Sequence, residues 1–266
     1  MPVDLVLVRH GQTEGNLARE RSKQGDKSLW TPEFRARPGR LWRLTDVGIE
    51  QAQAAGRWIR ENLAFEFSRY ITSEYPRAKE TAGHLELPDA SWEEEFYLRE
   101  RLWGPLENLP EDERWERYQD ELNKYKIDSF YWRPPHGESM AEVSQRADWV
   151  LYGLHRESAG GSVIAVCHED VMWAVRARLE RLSQERWQEV KLSSDPRDRI
   201  HNGQVITYTR RDPWTGEVGP DYRWMRSVCP YDMGLSRNEW ERIEQPRYSN
   251  DELLARVAAI PRLIEG

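Results

Sequence analysis

Two apolar runs in this chain each stop at a histidine. Val3 and Leu5 to Val8 lead into Arg9-His10-Gly11, and Ser162-Val163-Ile164-Ala165-Val166-Cys167 leads into His168. Short apolar runs bounded by turn residues read as strands buried on both faces, the kind found in parallel sheets. Ligands of open α/β sheets collect beyond the carboxyl ends of such strands, so both imidazoles are expected at the mouth of a site. Gly11 allows a sharp turn after the first strand and brings the Thr13 and Asn16 side chains one turn on. Ser73 to Arg77 lies between a predicted strand over 69–73 and a helix with Pro76 in its first turn, where free N–H groups suit a phosphate. Imidazoles at strand tips, with Arg9 beside the first, belong at the mouth of a site, and the helix start at Arg77 suits an anion.

The string Arg9-His10-Gly11-Gln12-Thr13-Glu14-Gly15-Asn16 resembles the R-H-G-x-T-x-x-N signature of the histidine phosphatase superfamily, which includes the cofactor-dependent phosphoglycerate mutases. Ser73 with Arg77-Ala78 and Thr81-Ala82 is similar to that family's second phosphate-pocket motif. Leu98-Arg99-Glu100-Arg101-Leu102-Trp103-Gly104 is similar to its L-x-E-R-x-x-G segment. The matches run in the family's order from residue 9 to residue 168. The resemblance implies an α/β fold, a three-layer α/β/α sandwich with a mostly parallel central sheet. It implies that His10 is a nucleophile that becomes phosphorylated and that Glu100 is the proton donor. Arg9, Arg77 and His168 would clamp the phosphoryl oxygens, with Thr13, Asn16 and Ser73 as further substrate contacts. Asn202 falls near a phosphate-loop asparagine of relatives. Where those relatives carry glycine after the second histidine, this chain has Glu169 and then Asp170. A carboxylate is therefore expected close to the pocket, lowering its affinity for anions or touching a cationic part of the substrate. His136-Gly137-Glu138-Ser139-Met140 resembles the family's G-E-S helix start, with Glu138 and Ser139 as a helix cap or a contact to the site and His136 as a surface loop residue.

Phosphoryl transfer to histidine needs a neutral imidazole nitrogen in line with phosphorus, cations around the equatorial oxygens and an acid at the leaving oxygen. Arg9 and Arg77 should keep His10 neutral by disfavouring the imidazolium. A carbonyl accepting from its other nitrogen would fix the tautomer. Glu100 must protonate the leaving alkoxide and then deprotonate water, which requires a pKa raised by burial toward neutrality. Arginines replace a metal in this chemistry, so neither metal nor cofactor is expected. His168, Glu169 and Asp170 form the remaining metal-type grouping. Hydrolysis of a small anionic phosphorylated metabolite is the leading expectation. A phosphosugar mutase and a catalytically weak phospholigand-binding protein are the alternatives. Mutases carry two adjacent arginines before their proline run, whereas Trp132-Arg133 offers one, which favours hydrolysis.

The elements that hold these residues are legible from periodicity. Thr45 reads as the N-cap of a helix to about Asn62, with Ile49, Ala52, Ala55 and Ile59 inward. Helices are also predicted over 111–126, with Trp115, Tyr118, Leu122 and Tyr125 as the buried edge, and over 140–158. A further helix follows His168. Segments 204–210 and 222–228 read as an antiparallel edge pair. Residues 17–44 read as an irregular insertion holding eight Arg/Lys and three acids, +5 in a chain of net −7, so the remainder carries −12. Trp30, Phe34 and Trp42 are its candidate substrate walls. Residues 105–136 form a second insertion over the site. The domain is expected to span 1–235, with a helical tail over 236–266 covering the domain or a partner, a second copy of the chain included. The acidic balance argues against nucleic acid and membrane surfaces as partners. Charged residues make up 32% of the chain, yet its 13 tryptophans supply large apolar areas for a core. No apolar run reaches the roughly 18 residues of a membrane span. Cys167 and Cys229 make no disulfide framework, which suits a reducing, cytoplasmic setting. Cys167 reads as a core residue facing away from His168 by strand alternation.

Overall fold

Alternate side chains of the two apolar strands bury against opposite helical layers, and that alternation sets the architecture. The computed structural model describes residues 1–264. In chain order its elements are β1 (Asp4–Arg9), α1 (Glu14–Lys23), α2 (Pro32–Ala36), α3 (Asp46–Asn62), β2 (Arg69–Thr72), α4 (Pro76–His84), β3 (Trp92–Glu94) and α5 (Glu111–Ile127). There follow α6 (Met140–Glu157), β4 (Ser162–Cys167), α7 (Glu169–Leu179), α8 (Gln184–Lys191), β5 (Val205–Thr209), β6 (Trp224–Val228), β7 (Glu241–Arg242) and α9 (Asn250–Ala258). The strands form one sheet in the order β3-β2-β4-β1-β5-β6-β7. β3, β2, β4 and β1 are parallel, and β5, β6 and β7 each run antiparallel to the preceding neighbour. Because β6 thereby shares the direction of β1, five of the seven strands point the same way, the mostly parallel sheet expected.

Leu5, Leu7, Val163, Ala165 and Cys167 pack against α6 and α7 through Met140, Val143, Ala147, Met172 and Trp173. Val6, Val8, Ile164 and Val166 pack on the other face against α3 and α4 through Ala55, Trp58, Ile59, Ala78 and Ala82. The result is three layers, with Cys167 on the face away from His168. Asp4, the one acid in β1, is buried but satisfied: Thr209 Oγ1 and Ser162 Oγ donate to it at 2.6 and 2.8 Å. Those bonds offset the desolvation of a carboxylate inside a strand. None of the described helices is long and apolar enough to cross a membrane.

Four sequence expectations need correcting. The basic stretch after Asn16 is not a loop at its start. A capping box between Thr13 and Asn16 launches α1, which runs to Lys23. Trp30 and Trp42 are buried rather than open walls. Trp30 donates from Nε1 to the Ala18 carbonyl at 3.0 Å, and Phe34 stacks on Trp42. The tail is not helical from Ser236: it first adds β7 to the sheet edge, and a helix forms only at α9, which buries none of its residues. In α5 the expected aromatic edge is half-buried and Arg114 is the residue that is buried.

The turn after β1 sits directly on the first turn of α3. A Cβ on Gly48 would overlap the Gln12 carbonyl oxygen, and one on Gly11 would overlap the Gly48 carbonyl. Backbone cannot yield as a flexible side chain can. Gly48→Ala is therefore expected to destabilise the fold by about 1–3 kcal/mol through overpacking. The check is a urea titration, in which the midpoint falls while the slope stays constant.

Candidate active site

β1 and β4 pair with Val8 opposite Val166 and Arg9 opposite Cys167, so His10 and His168 leave neighbouring strand ends side by side. The His10 amide donates to the Cys167 carbonyl at 3.0 Å, which locks the two strand exits together. The two ring centroids lie 5.1 Å apart at 61°, and both side chains are buried. His10 Nδ1 is 2.8 Å from the Gly11 carbonyl oxygen. A carbonyl only accepts, so Nδ1 carries the proton and Nε2 keeps a free lone pair. For His168 the partners fix the opposite arrangement. Arg77 Nε donates to its Nδ1 at 3.3 Å, which leaves the proton on Nε2, donated to Ser73 Oγ at 2.8 Å.

Arg77 comes from the first turn of α4, on the face of the sheet that also carries Val8 and Val166. It donates to the Gly39 carbonyl at 3.0 Å and lies over the Tyr75 ring at 4.9 Å. Glu100 follows the short turn after β3, and its Oε1 accepts from the Arg101 amide at 2.8 Å. One carboxylate oxygen of Glu100 and one ring nitrogen each of His10 and His168 lie within 4.8 Å of one another. That spacing could in principle hold a divalent ion, but Arg77 and Arg9 make the surroundings cationic and work against one. The other metal-type grouping diverges. Glu169 turns to Arg9 Nη2 at 3.0 Å, and Asp170 is buried in an ion pair with Lys191.

The remaining predicted contacts are placed as follows. Arg9 donates from Nη1 to the Ile200 carbonyl at 2.6 Å, so it is braced between that carbonyl and Glu169. Thr13 and Asn16 serve the α1 cap: Asn16 Oδ1 accepts from the Thr13 amide and hydroxyl at 3.1 and 3.0 Å. Asn202 Nδ2 donates to the His10 carbonyl at 3.1 Å and to Asn16 Oδ1 at 3.3 Å, clasping the loop that carries His10. Ser73 touches His168. Glu138 accepts from Arg146 and Arg99 and lies behind the site, and Ser139 caps α6. His136 is an exposed loop residue, as expected.

Several residues escaped the sequence reading. Thr81 Oγ1 accepts from the Gly11 amide at 3.1 Å and donates to the Arg77 carbonyl at 2.7 Å, tying the two motifs together. Tyr75 packs edge-on against His168. Arg101 is 1% exposed and reaches the Glu138 and Trp132 carbonyls, with Asp170 at 3.9 Å. Thr81 and Arg101 stood inside the quoted motifs, so position was their signal. Tyr75 had none beyond adjacency to Pro76.

Burial, and then the Arg77 and Arg9 cations, hold the His10 pKa well below 6.5. Burial and Arg77 do the same for His168, with His10 a smaller contribution. Glu100 moves the other way, to about 7: burial is the main cause, repulsion from Asp170 adds to it, and Arg77 opposes it. Asp170 is held ionised because Lys191 and Arg101 outweigh its own burial. Replacing Asp170 by Asn removes the repulsion and frees two cations, and both changes favour Glu100 carboxylate. The Glu100 titration followed by carboxyl carbon NMR is therefore expected to move from about 7 to lower pH in Asp170→Asn. An unchanged midpoint would show that burial alone sets it.

Comparison with known proteins places this geometry. The profile described as histidine phosphatase superfamily (branch 1) matches residues 5–198. A 2,3-bisphosphoglycerate-dependent phosphoglycerate mutase of Parvibaculum lavamentivorans is 32% identical over 195 residues, covering 70% of this chain and 83% of that one. The similarly named protein of Allorhizobium ampelinum is 29% identical over 200 residues, covering 71% and 85%. Among solved structures, a mycobacterial glucosyl-3-phosphoglycerate phosphatase superimposes with a TM-score of 0.62 at 20% identity, covering 84% of this chain and 96% of that one. An alpha-ribazole phosphatase from Shigella flexneri gives 0.60 at 21% identity, covering 77% and 89%. The two structural likenesses establish the fold, and the profile spans well over half of the sequence. The chain belongs to the histidine phosphatase superfamily.

Proposed function

We propose that this protein hydrolyses a small anionic phosphomonoester through a phosphohistidine at His10. The observation that carries the reading is the pairing of a neutral imidazole, its Nε2 lone pair free, with a Glu100 carboxyl that holds its proton up to about pH 7 a few ångströms away. His10 Nε2 attacks phosphorus, and the bond to the ester oxygen breaks as Glu100 delivers its proton to that oxygen. The alcohol departs, leaving phosphoryl on His10 and carboxylate on Glu100. Glu100 then takes a proton from a water that attacks phosphorus, the P–N bond breaks, and phosphate leaves. Arg77 and Arg9 meet the charge on the equatorial oxygens. His168 serves by orienting Arg77, since both of its ring nitrogens are already engaged. Donors held ready in this way are worth about 3–4 kcal/mol each in a transition state.

Glu169 decides how strongly Arg9 is available. Its ion pair with Arg9 is partly exposed, so it contributes about 0–1 kcal/mol, whereas a hydrogen bond from a guanidinium to phosphate contributes about 1.5–3 kcal/mol. Phosphate therefore displaces Glu169, at the expense of about 1 kcal/mol of affinity. Glu169→Gln should lower the inhibition constant of inorganic phosphate about fivefold.

Mutase chemistry at the same histidine is the second reading, favoured by the names of the sequence relatives. Against it stands Arg133, which is largely exposed, donates to the Gly137 carbonyl at 2.7 Å and lies 3.6 Å from Glu142. Trp132 beside it is buried, so no pair of adjacent arginines reaches inward. The phosphatase names of the superimposing structures agree with hydrolysis. The test is p-nitrophenyl phosphate turnover, with rapid quench for labelled protein. Phosphate release without a bisphosphate primer, an acid-labile phosphoenzyme, and loss of both in His10→Ala are expected. Turnover that needs the primer would establish the mutase. Binding without turnover would leave a phospholigand sensor.

A further inference from the structure

Two side-chain amides meet at the loop that carries His10, and their hydrogen bonds leave one donor over. Asn16 Oδ1 accepts from three groups: the Thr13 amide at 3.1 Å, the Thr13 hydroxyl at 3.0 Å and Asn202 Nδ2 at 3.3 Å. An NH2 group accepts nothing, so the Asn16 amide can sit only with its oxygen toward these donors. Asn16 is half-buried, and its Nδ2 has no partner among the described residues and is not sealed from solvent. Asn202 is fixed in the same way. Its Nδ2 faces two acceptors, the His10 carbonyl at 3.1 Å and Asn16 Oδ1, so each of its two hydrogens has one to serve. A reversed amide would set its own oxygen against both.

Asn202 reaches this place because the turn before β5 is tied to the exit of β1. The Arg9 amide donates to the Gln204 carbonyl at 2.9 Å, and Val8 stands opposite Val205 in the sheet. Gly203, left-handed at φ 71°, donates from its amide to the same His10 carbonyl at 3.3 Å. The Thr13 hydroxyl, for its part, also accepts from the Asn16 amide at 3.1 Å to cap α1. The donor from outside that cap is therefore Asn202. An unpartnered NH2 on the loop of the nucleophile, seven positions from Arg9, is a donor for an anion. We infer that Asn202 is a positioning residue: it orients the Asn16 amide so that Asn16 Nδ2 donates to the phosphoryl group transferred to His10. The inference rests on the hydrolytic reading for the identity of that anion. It makes Asn202 act through Asn16 rather than by touching substrate.

The test is calorimetric binding of inorganic phosphate in a double-mutant cycle. Asn202→Ala is expected to weaken binding about tenfold in the parent protein, because the Asn16 amide is released to turn. In Asn16→Ala, which has no amide to orient, the same change should weaken it by less than about twofold. The Gly203 amide continues to serve the His10 carbonyl in every variant. Asn16→Ala also removes the cap oxygen of α1, so Asn16→Asp, which keeps an acceptor there and loses the donor, is run beside it with melting curves. Nitrogen–proton NMR gives a second readout. Phosphate should shift the Asn16 side-chain NH2 signals, identified by their loss in Asn16→Asp, in the parent and not in Asn202→Ala. A parent that binds no phosphate, an Asn202→Ala protein that binds it as tightly as the parent, or a loss above about twofold in either Asn16 background overturns the inference. None of these readouts needs turnover, so a failure to hydrolyse p-nitrophenyl phosphate counts against the hydrolytic reading alone.

Discussion

The in-register pairing of β1 with β4 is the constraint on which the site depends. With Val8 opposite Val166, the next inward-facing position on each strand is a histidine, and both fall on the α3–α4 side of the sheet. α4 lies on that same side, so Arg77 at its first turn needs no long reach to touch His168. A one-residue slip would send one imidazole to the α6–α7 face, where Cys167 now packs. The close seat of Gly11 on Gly48 and the clasp of Asn202 on the His10 carbonyl then hold the strand exit in place.

One physical effect moves His10 and Glu100, the two groups of the proposed reaction, in opposite directions. Burial disfavours charge, which lowers the pKa of His10 and raises that of Glu100, the poise that the proposed attack and proton donation call for. Arg77 is not neutral between them: it reinforces the first shift and opposes the second. Asp170, held ionised by Lys191 and Arg101, acts against Arg77 at Glu100. The second layer of buried charge behind the site is thus part of its acid–base poise rather than general stabilisation, since a buried ion pair by itself is weak evidence of stability.

The covering segments are organised by aromatic packing that their polar composition conceals. Trp30, Phe34 and Trp42 form a small core beneath the basic stretch, and Trp103, Tyr125 and Trp132 form another beneath the second insertion. Arg101 lies against Trp103 at 4.6 Å, which joins that second cluster to the Glu100 turn. Each aromatic group buries large area for few ordered residues, which is how segments rich in Arg and Glu remain folded. The helical period of α1 was faint because its apolar positions are few, whereas α5 was legible from its aromatic edge although it is kinked at Tyr118.

Local chemistry was enough to read the two buried strands and the capped helices, and short motifs that resemble a family singled out Arg9, His10, Ser73, Arg77, Glu100 and His168. Each of these carries its signal within a few neighbours: an apolar run, a turn glycine, a helix start or a short motif. Only the folded chain settled which nitrogen of each histidine carries the proton, that Thr13 and Asn16 are committed to a helix cap, and that Glu169 pairs with Arg9 while Asp170 turns to Lys191. Hydrogen-bond partners and pKa shifts arise from groups distant in the chain and adjacent in space, and the dielectric they share exists only once the core has closed around them.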